Sequence, residues 1–204
     1  MRLFAIIPAA GLSRRMGRPK LTLDLAGRLV IARLLDALDH PAIAATAVVF
    51  RRSDEQLRDV LQPFDVIAVQ PPRDPPDMRH SVEYGVAAIR NHFAPDAEDA
   101  WILIPADHPV LDGDVINELV DAWQTLDADI MVPVHEGKRG HPAFFRWTLA
   151  DRLSEIPDDQ GLNWLLTLDG VTVCQHPVTS DSILLDLDTP EDLQRLQSRF
   201  DPSN

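Results

Sequence analysis

Short, continuous apolar runs recur along this chain, each separated from the next by a stretch with helical spacing, and this alternation limits the fold more than any other feature. Leu3 to Ile7 contains no polar residue, as a strand buried on both faces requires, and it runs straight into Pro8, Ala9, Ala10 and Gly11. Thr46 to Phe50, Val66 to Val69, Trp101 to Ile104 and Ile130 to Val134 read as further strands. Between them, Leu29 to Leu38 repeats apolar residues at Val30, Ile31, Leu34, Leu35 and Leu38, with Pro41 beyond its end. Ser53 reads as the N-cap of a helix through Leu57, Val60 and Leu61. Ser81 introduces a helix through Val82, Val86 and Ile89, and another covers Val115 to Leu126. Strands that alternate with helices imply a mainly parallel sheet covered on both faces, because parallel strands need crossover connections. The fold class is α/β.

Past His135 the pattern changes. Glu136 to Gly140 is a polar turn, and Pro142 to Phe145 reads as a strand returning antiparallel, which makes the sheet mixed. Trp147 to Leu153 and Gly161 to Leu168 look helical, whereas Val171 to Cys174 and Ile183 to Leu187 look extended. Thr189 caps a last amphipathic helix that ends near Arg199. Residues 1–200 are expected to form one domain, and 201–204 a frayed tail. No apolar run approaches the roughly 20 residues of a membrane helix, and Met1 to Ile7 lacks the features of a secretory signal, so a cytoplasmic location with no membrane contact is expected. Cys174, the only cysteine, rules out an internal disulfide and reads as a buried small hydrophobe.

The formal charge of -13 argues against a nucleic-acid binder, which needs a concentrated basic surface. Positive charge is nevertheless gathered in one place: Arg14, Arg15, Arg18 and Lys20 stand close together near the amino end with no acid among them. A cationic loop on an acidic body suits a small polyanion, although a solvated loop would look the same by charge alone.

Ligands of open α/β sheets bind outside the carboxyl ends of the strands, so the loops after Ile7, Ile104 and Leu185 carry the most interest. The first, Ala9 to Lys20, combines small residues that let a ligand approach the backbone with cations that neutralise phosphates, as a triphosphate site needs. It is neither a Walker loop nor a dinucleotide fingerprint. The missing fingerprint counts against a nicotinamide-dependent oxidoreductase. The second loop puts Asp107 behind a buried strand, as a ligand for Mg²⁺ or as a cap for the next turn. In the third, Asp186 or Asp188 could complete a metal site, and Asp188 could equally help cap the last helix. The segment Gly137 to Pro142 contains Lys138, Arg139 and His141, which either meet an acceptor phosphate or form an exposed hairpin turn.

These residues carry a resemblance. Ala9-Ala10-Gly11, then Ser13, Arg15-Met16-Gly17 and Lys20, followed by Asp107 and Pro109, Gly140-His141-Pro142, Asp159-Gln160-Gly161 and Asp188 to Asp192, resemble the MobA-like nucleotidyltransferases of molybdenum-cofactor maturation over nearly the whole chain. Within that family the chain looks closest to the cytidylyltransferases. The resemblance implies a Rossmann-like three-layer fold of the nucleotide-diphospho-sugar transferase type, with a mostly parallel mixed sheet. It implies a nucleoside triphosphate, CTP before GTP, bound by Ala9, Ala10, Gly11, Ser13, Arg14, Arg15, Lys20, Met78, Ser81 and Asp107. Arg15, Lys20 and Asp107 would carry catalysis, with Mg²⁺ on Asp107 and on Asp188 or Asp186. A molybdopterin-type phosphorylated acceptor would meet His141 and Arg139, and a molybdoenzyme or its chaperone would be the downstream partner. A sugar phosphate or other phosphorylated metabolite is the alternative acceptor. An intact Asp107 and Asp188 count against a non-catalytic nucleotide sensor.

Overall fold

The computed structural model describes residues 1–200. The tail expected at 201–204 lies outside the described residues. Strands β1 (Leu3–Pro8), β4 (Ile43–Val49), β5 (Ile67–Val69), β6 (Ala100–Leu103), β7 (Ile130–His135), β8 (Lys138–Arg139), β9 (Ala143–Arg146) and β10 (Val173–Pro177) form one sheet in the order β5-β4-β1-β6-β9-β7-β10, with β8 paired to β7. β1 runs parallel to β4 and β6, and β4 to β5, as crossover helices require. The antiparallel return expected after the polar turn is β9, inserted between β6 and β7. β10 then pairs parallel with β7.

Alternation along the central strands divides the core. Leu3, Ala5 and Ile7 of β1 face one side with Ile102 of β6, where they pack on helices α1 (Val30–Ala37), α2 (Glu55–Leu61), α4 (Gly113–Thr125) and α5 (Pro190–Arg199). Phe4, Ile6, Trp101 and Leu103 face the other side, under helix α3 (Met78–Phe93) and the 3-10 helices Trp147–Glu155 and Leu162–Thr167. Both faces of β1 are buried, which is why its sequence is apolar without interruption. Across the β6–β9 pair, Trp101 stacks on Phe145 at 4.1 Å.

Several boundaries differ from the sequence expectation. Asp54, not Ser53, caps α2 by accepting from Leu57 N at 3.0 Å. Asp77, not Ser81, caps α3; Ser81 lies inside its first turn and donates to the Asp77 carbonyl. Both segments expected to be helical after β9 form 3-10 helices. Ile183 to Leu187 is not a strand: Asp181–Leu184 forms a 3-10 turn and the chain then runs extended and unpaired with the sheet. Cys174 is half-buried on the edge strand β10. The hairpin of β2 (Asp24–Leu25) and β3 (Arg28–Leu29) was not expected; Ala26 and Gly27 both take positive φ there, the backbone that a tight hairpin demands. Thr189 caps α5 as expected, in a capping box with Asp192.

α3 crosses β1 closely because Gly85 has no side chain: a Cβ there would stand 2.6 Å from Ile6 Cγ2 and 3.3 Å from Val49 Cγ2. Neither β-branched neighbour can swing away. Gly85→Val is therefore expected to destabilise the protein by about 1–3 kcal/mol, read from the midpoint of urea unfolding. An unchanged midpoint would show that α3 moves freely on the sheet.

Candidate active site

β1 and β6 lie side by side and parallel, so the loops at their carboxyl ends open toward each other. Between these loops and the start of α3 lies a cleft of about 470 Å³. Ala9, Ala10, Gly11, Ser13, Arg14 and Lys20 line it from the first loop, Asp107 from the second, and Met78 and Ser81 from α3. Ala9 is anchored by its N–H to the Val49 carbonyl at 2.8 Å, and Arg51 Nε donates to the Ala10 carbonyl at 2.7 Å. The loop then turns back sharply, with Ser13 and Gly17 both at positive φ and Gly17 N donating to the Ser13 carbonyl. That reversal returns Lys20 to the mouth of the sheet, where its own N–H reaches Ser13 Oγ.

Lys20 Nζ lies 2.7 Å from Asp107 Oδ2 and 2.7 Å from Asp188 Oδ1. Asp188 Oδ2 also accepts from Arg15 Nη2 at 2.6 Å, so Arg15 faces Asp188 rather than the cleft, and its side chain is largely exposed. Burial alone would push the Lys20 pKa down, but Asp107 and Asp188 more than offset it and hold the pKa above the usual lysine value. Asp188 reaches this point because the segment before α5 straps across the second loop. Leu187 N donates to the Asp107 carbonyl, and Asp188 N and Thr189 N donate to Asp192 Oδ2. Of Asp186 and Asp188, Asp188 is the acid that shares the Lys20 ammonium with Asp107.

Two carboxylate oxygens converging on one point form a donor set that suits a hard divalent cation such as Mg²⁺. Among the described residues no group of three or more His, Cys, Asp or Glu encloses a metal position, so phosphate oxygens and water would have to complete the shell. His141 packs edge-on against His108, with ring centres 5.1 Å apart, behind the second loop. Arg139 is exposed on the β7–β8 hairpin and does not border the cleft. The cleft also includes Arg51, Pro75, Pro76 and Asp77, which sequence reasoning passed over. For Arg51 a signal existed: it is the first charged residue after the buried run Thr46 to Phe50, at a strand's carboxyl end.

The model of the MobA-like NTP transferase domain matches residues 5–176. The chain belongs to that family. A molybdenum cofactor guanylyltransferase of Rhodopseudomonas palustris is 34% identical over 149 residues, which cover 70% of this chain and 65% of that protein, a little under two thirds of its length. A molybdenum cofactor cytidylyltransferase of Escherichia coli is 24% identical over 197 residues, covering 96% of this chain and 95% of that one. A nucleotidyl transferase from Methanothermobacter thermautotroptrophicus shares the fold, with a TM-score of 0.80 at 20% identity over 100% of this chain and 99% of its own. The MobA-like chain thus has the nucleotide-diphospho-sugar transferase fold expected from the sequence. Among the described residues, no helix is long and apolar enough to cross a membrane.

The histidine pair makes the MobA-like chain acid-sensitive in a defined range. Burial, reinforced by the nearby His108, pushes the His141 pKa down to about 4 from 6.5. Burial also lowers that of His108, although Asp107 and Asp186 partly oppose it. A neutral folded imidazole and an unfolded one that titrates near 6.5 mean that the unfolded chain binds more protons between those values. Stability is then complete above the unfolded value and falls as pH drops toward the folded one, by about 3 kcal/mol for His141. Urea midpoints measured from neutral pH downward should show this loss, and His141→Gln should flatten most of it. A wild-type midpoint that holds constant across the range would contradict the buried neutral pair.

Proposed function

We propose that residues 1–200 act as one catalytic unit that transfers CMP from CTP to the phosphate of a molybdopterin-type cofactor in the cytoplasm, with Mg²⁺ and with release of pyrophosphate. The observation that carries this reading is the convergence of Lys20, Asp107 and Asp188 on the wall of a cleft floored by Ala9, Ala10 and Gly11. Family membership supports nucleotidyl transfer, and the names of the molybdenum cofactor relatives support the acceptor. The Ala9-Ala10-Gly11 and Gly140-His141-Pro142 segments favour cytidine. One observation favours guanine instead: the 34% identical relative is a guanylyltransferase.

The chemistry asks mainly for alignment and charge. An oxygen of the acceptor phosphate attacks the α-phosphorus of CTP in line, a new P–O bond forms, and the bond to the β-phosphate oxygen breaks. The acceptor phosphate is already ionised, so no strong general base is required. The small side chains of Ala9 to Gly11 let base and ribose approach the backbone, with Met78 and Ser81 opposite. Arg14 and Lys20 on the cleft wall would supply positive charge to the phosphates as negative charge shifts onto pyrophosphate, and Arg15 would join them by turning from Asp188. Asp107 and Asp188 would hold Mg²⁺, which would polarise the phosphates and neutralise their charge when bound. On the far side of Asp107, His141 and the exposed Arg139 would receive the acceptor, and a molybdoenzyme or its chaperone would take the product.

Asp107→Ala is expected to lower turnover at least about 100-fold while leaving the circular dichroism spectrum unchanged; retained turnover would refute the metal assignment. Calorimetric titration with CTP, GTP and ATP, each with and without Mg²⁺, tests the base. Magnesium-dependent preference for CTP is expected. Preference for GTP would move the chain to the guanylyl branch, and failure of all three to bind even with acceptor present would overturn the transferase reading.

A further inference from the structure

Lys20 occupies the point to which the two metal-binding carboxylates of the proposed function are directed. Its ammonium bonds both, at 2.7 Å each, and its side chain is only 11% exposed. Mg²⁺ binds carboxylate oxygens at about 2.0–2.1 Å, so a cation bridging these two oxygens would require the same space. The ammonium and the metal exclude each other there.

Charge gives the same result. Lys20 and Arg15 balance Asp107 and Asp188, so the four groups are neutral as a set. A divalent cation entering alone must break two charge-assisted hydrogen bonds and leave a nearly buried ammonium without a partner, an expensive arrangement. A triphosphate removes that cost. Lys20 and Asp107 both line the cleft, so a phosphate bound there offers the ammonium new oxygens within a side-chain rotation. The backbone of Lys20 need not move, because its N–H is held by Ser13 Oγ while the side chain rotates.

Resting on the nucleotidyltransferase reading, we propose that Lys20 is the resident counter-ion of Asp107 and Asp188 and blocks a divalent cation until a nucleoside triphosphate draws its ammonium away. Metal and nucleotide then bind with positive coupling, and the protein without nucleotide holds metal weakly. In the protein without nucleotide, Lys20 keeps Asp107 and Asp188 aligned.

The test uses Mn²⁺ as the probe and the full chain, followed by electron paramagnetic resonance of free Mn²⁺ and by water-proton relaxation, which separates protein-bound from nucleotide-bound metal. Without nucleotide, Lys20→Met should bind Mn²⁺ at least about tenfold more tightly than the wild type, a size typical of coupled sites. Lys20→Arg keeps the charge and should stay at the wild-type affinity. Adding an α,β-methylene analogue of CTP should raise protein-bound Mn²⁺ strongly in the wild type and little in Lys20→Met. If Lys20→Met does not fold, Lys20→Gln removes the charge and retains a polar end that can bond the carboxylates. A neutral variant that binds Mn²⁺ no more tightly than the wild type, while the wild type still forms the ternary complex, overturns the counter-ion role and leaves the transferase reading intact. Absence of Mn²⁺ binding in every protein, with and without the analogue, overturns the metal reading itself.

Discussion

The ammonium of Lys20 ties together three parts of the chain that are remote in sequence. It is 87 positions from Asp107 and 168 from Asp188, yet it bonds both. Buried ion pairs contribute little net stability, because desolvation offsets the attraction, whereas removing one partner alone is costly. The triad is therefore better understood as an organising device than as a source of stability. It fixes the first loop against the end of β6 and closes the segment before α5 over both. The acidic character of the rest of the chain is consistent with this arrangement: of the concentrated cations, Arg15 and Lys20 pair with carboxylates, whereas Arg14 and Arg18 are exposed.

Much of the sheet was legible because its determinants are local. A strand buried on both faces has to be apolar at every position, and Leu3 to Ile7 and Trp101 to Ile104 satisfy that in sequence as they do in space. The antiparallel β9 could be read because a polar segment, Glu136 to Gly140, precedes it, although only Glu136 and Gly137 form the turn and Lys138–Arg139 is the short strand β8. Helix starts were less legible. Ser53 and Asp54 are both good caps, and only the backbone path decides which side chain reaches the open N–H of Leu57. Over Trp147–Glu155 an apolar pattern of three to four residues fits a 3-10 helix as well as an α-helix. Ile183 to Leu187 is apolar enough for a strand, but its hydrogen bonds go to His141 and Asp107 in loops, which no periodicity reveals.

The site divides in the same way. Residues of the first loop line one cleft, as their proximity in sequence suggested, and Met78, Ser81 and Asp107 join them. What a sequence cannot show is how the charges pair with one another. Lys20 and Arg15 were expected to face phosphates, and in the protein they face Asp107 and Asp188. The ambiguity between Asp186 and Asp188 arose because both fall in the same short extended stretch. Of the two, Asp188 pairs with Lys20, and Asp192 holds the N–H of Asp188 and of Thr189 where the chain leaves its extended path.

The capping box of α5 lies beyond residue 176, where the family match ends, and the residue just before it, Asp188, supplies the carboxylate that completes the triad. α5 packs Leu193 and Leu196 into the core on the same face as Leu3 and Ile7, so the helix is docked by apolar burial independently of the charges at its start. Gly140 allows the strap to lie close, because a Cβ there would collide with the carbonyl of Ile183. Apolar docking of α5 sets the position of its first turn, the cap sets the direction of the residue before it, and Asp188 is thereby presented to Lys20. The backbone of Asp188 is thus placed by the cap and by the apolar docking of α5 as well as by the Leu187–Asp107 hydrogen bond, while its side chain pairs with Lys20 and Arg15. This separation lets the charges at the carboxyl ends of β1 and β6 exchange partners without disturbing the fold that carries them.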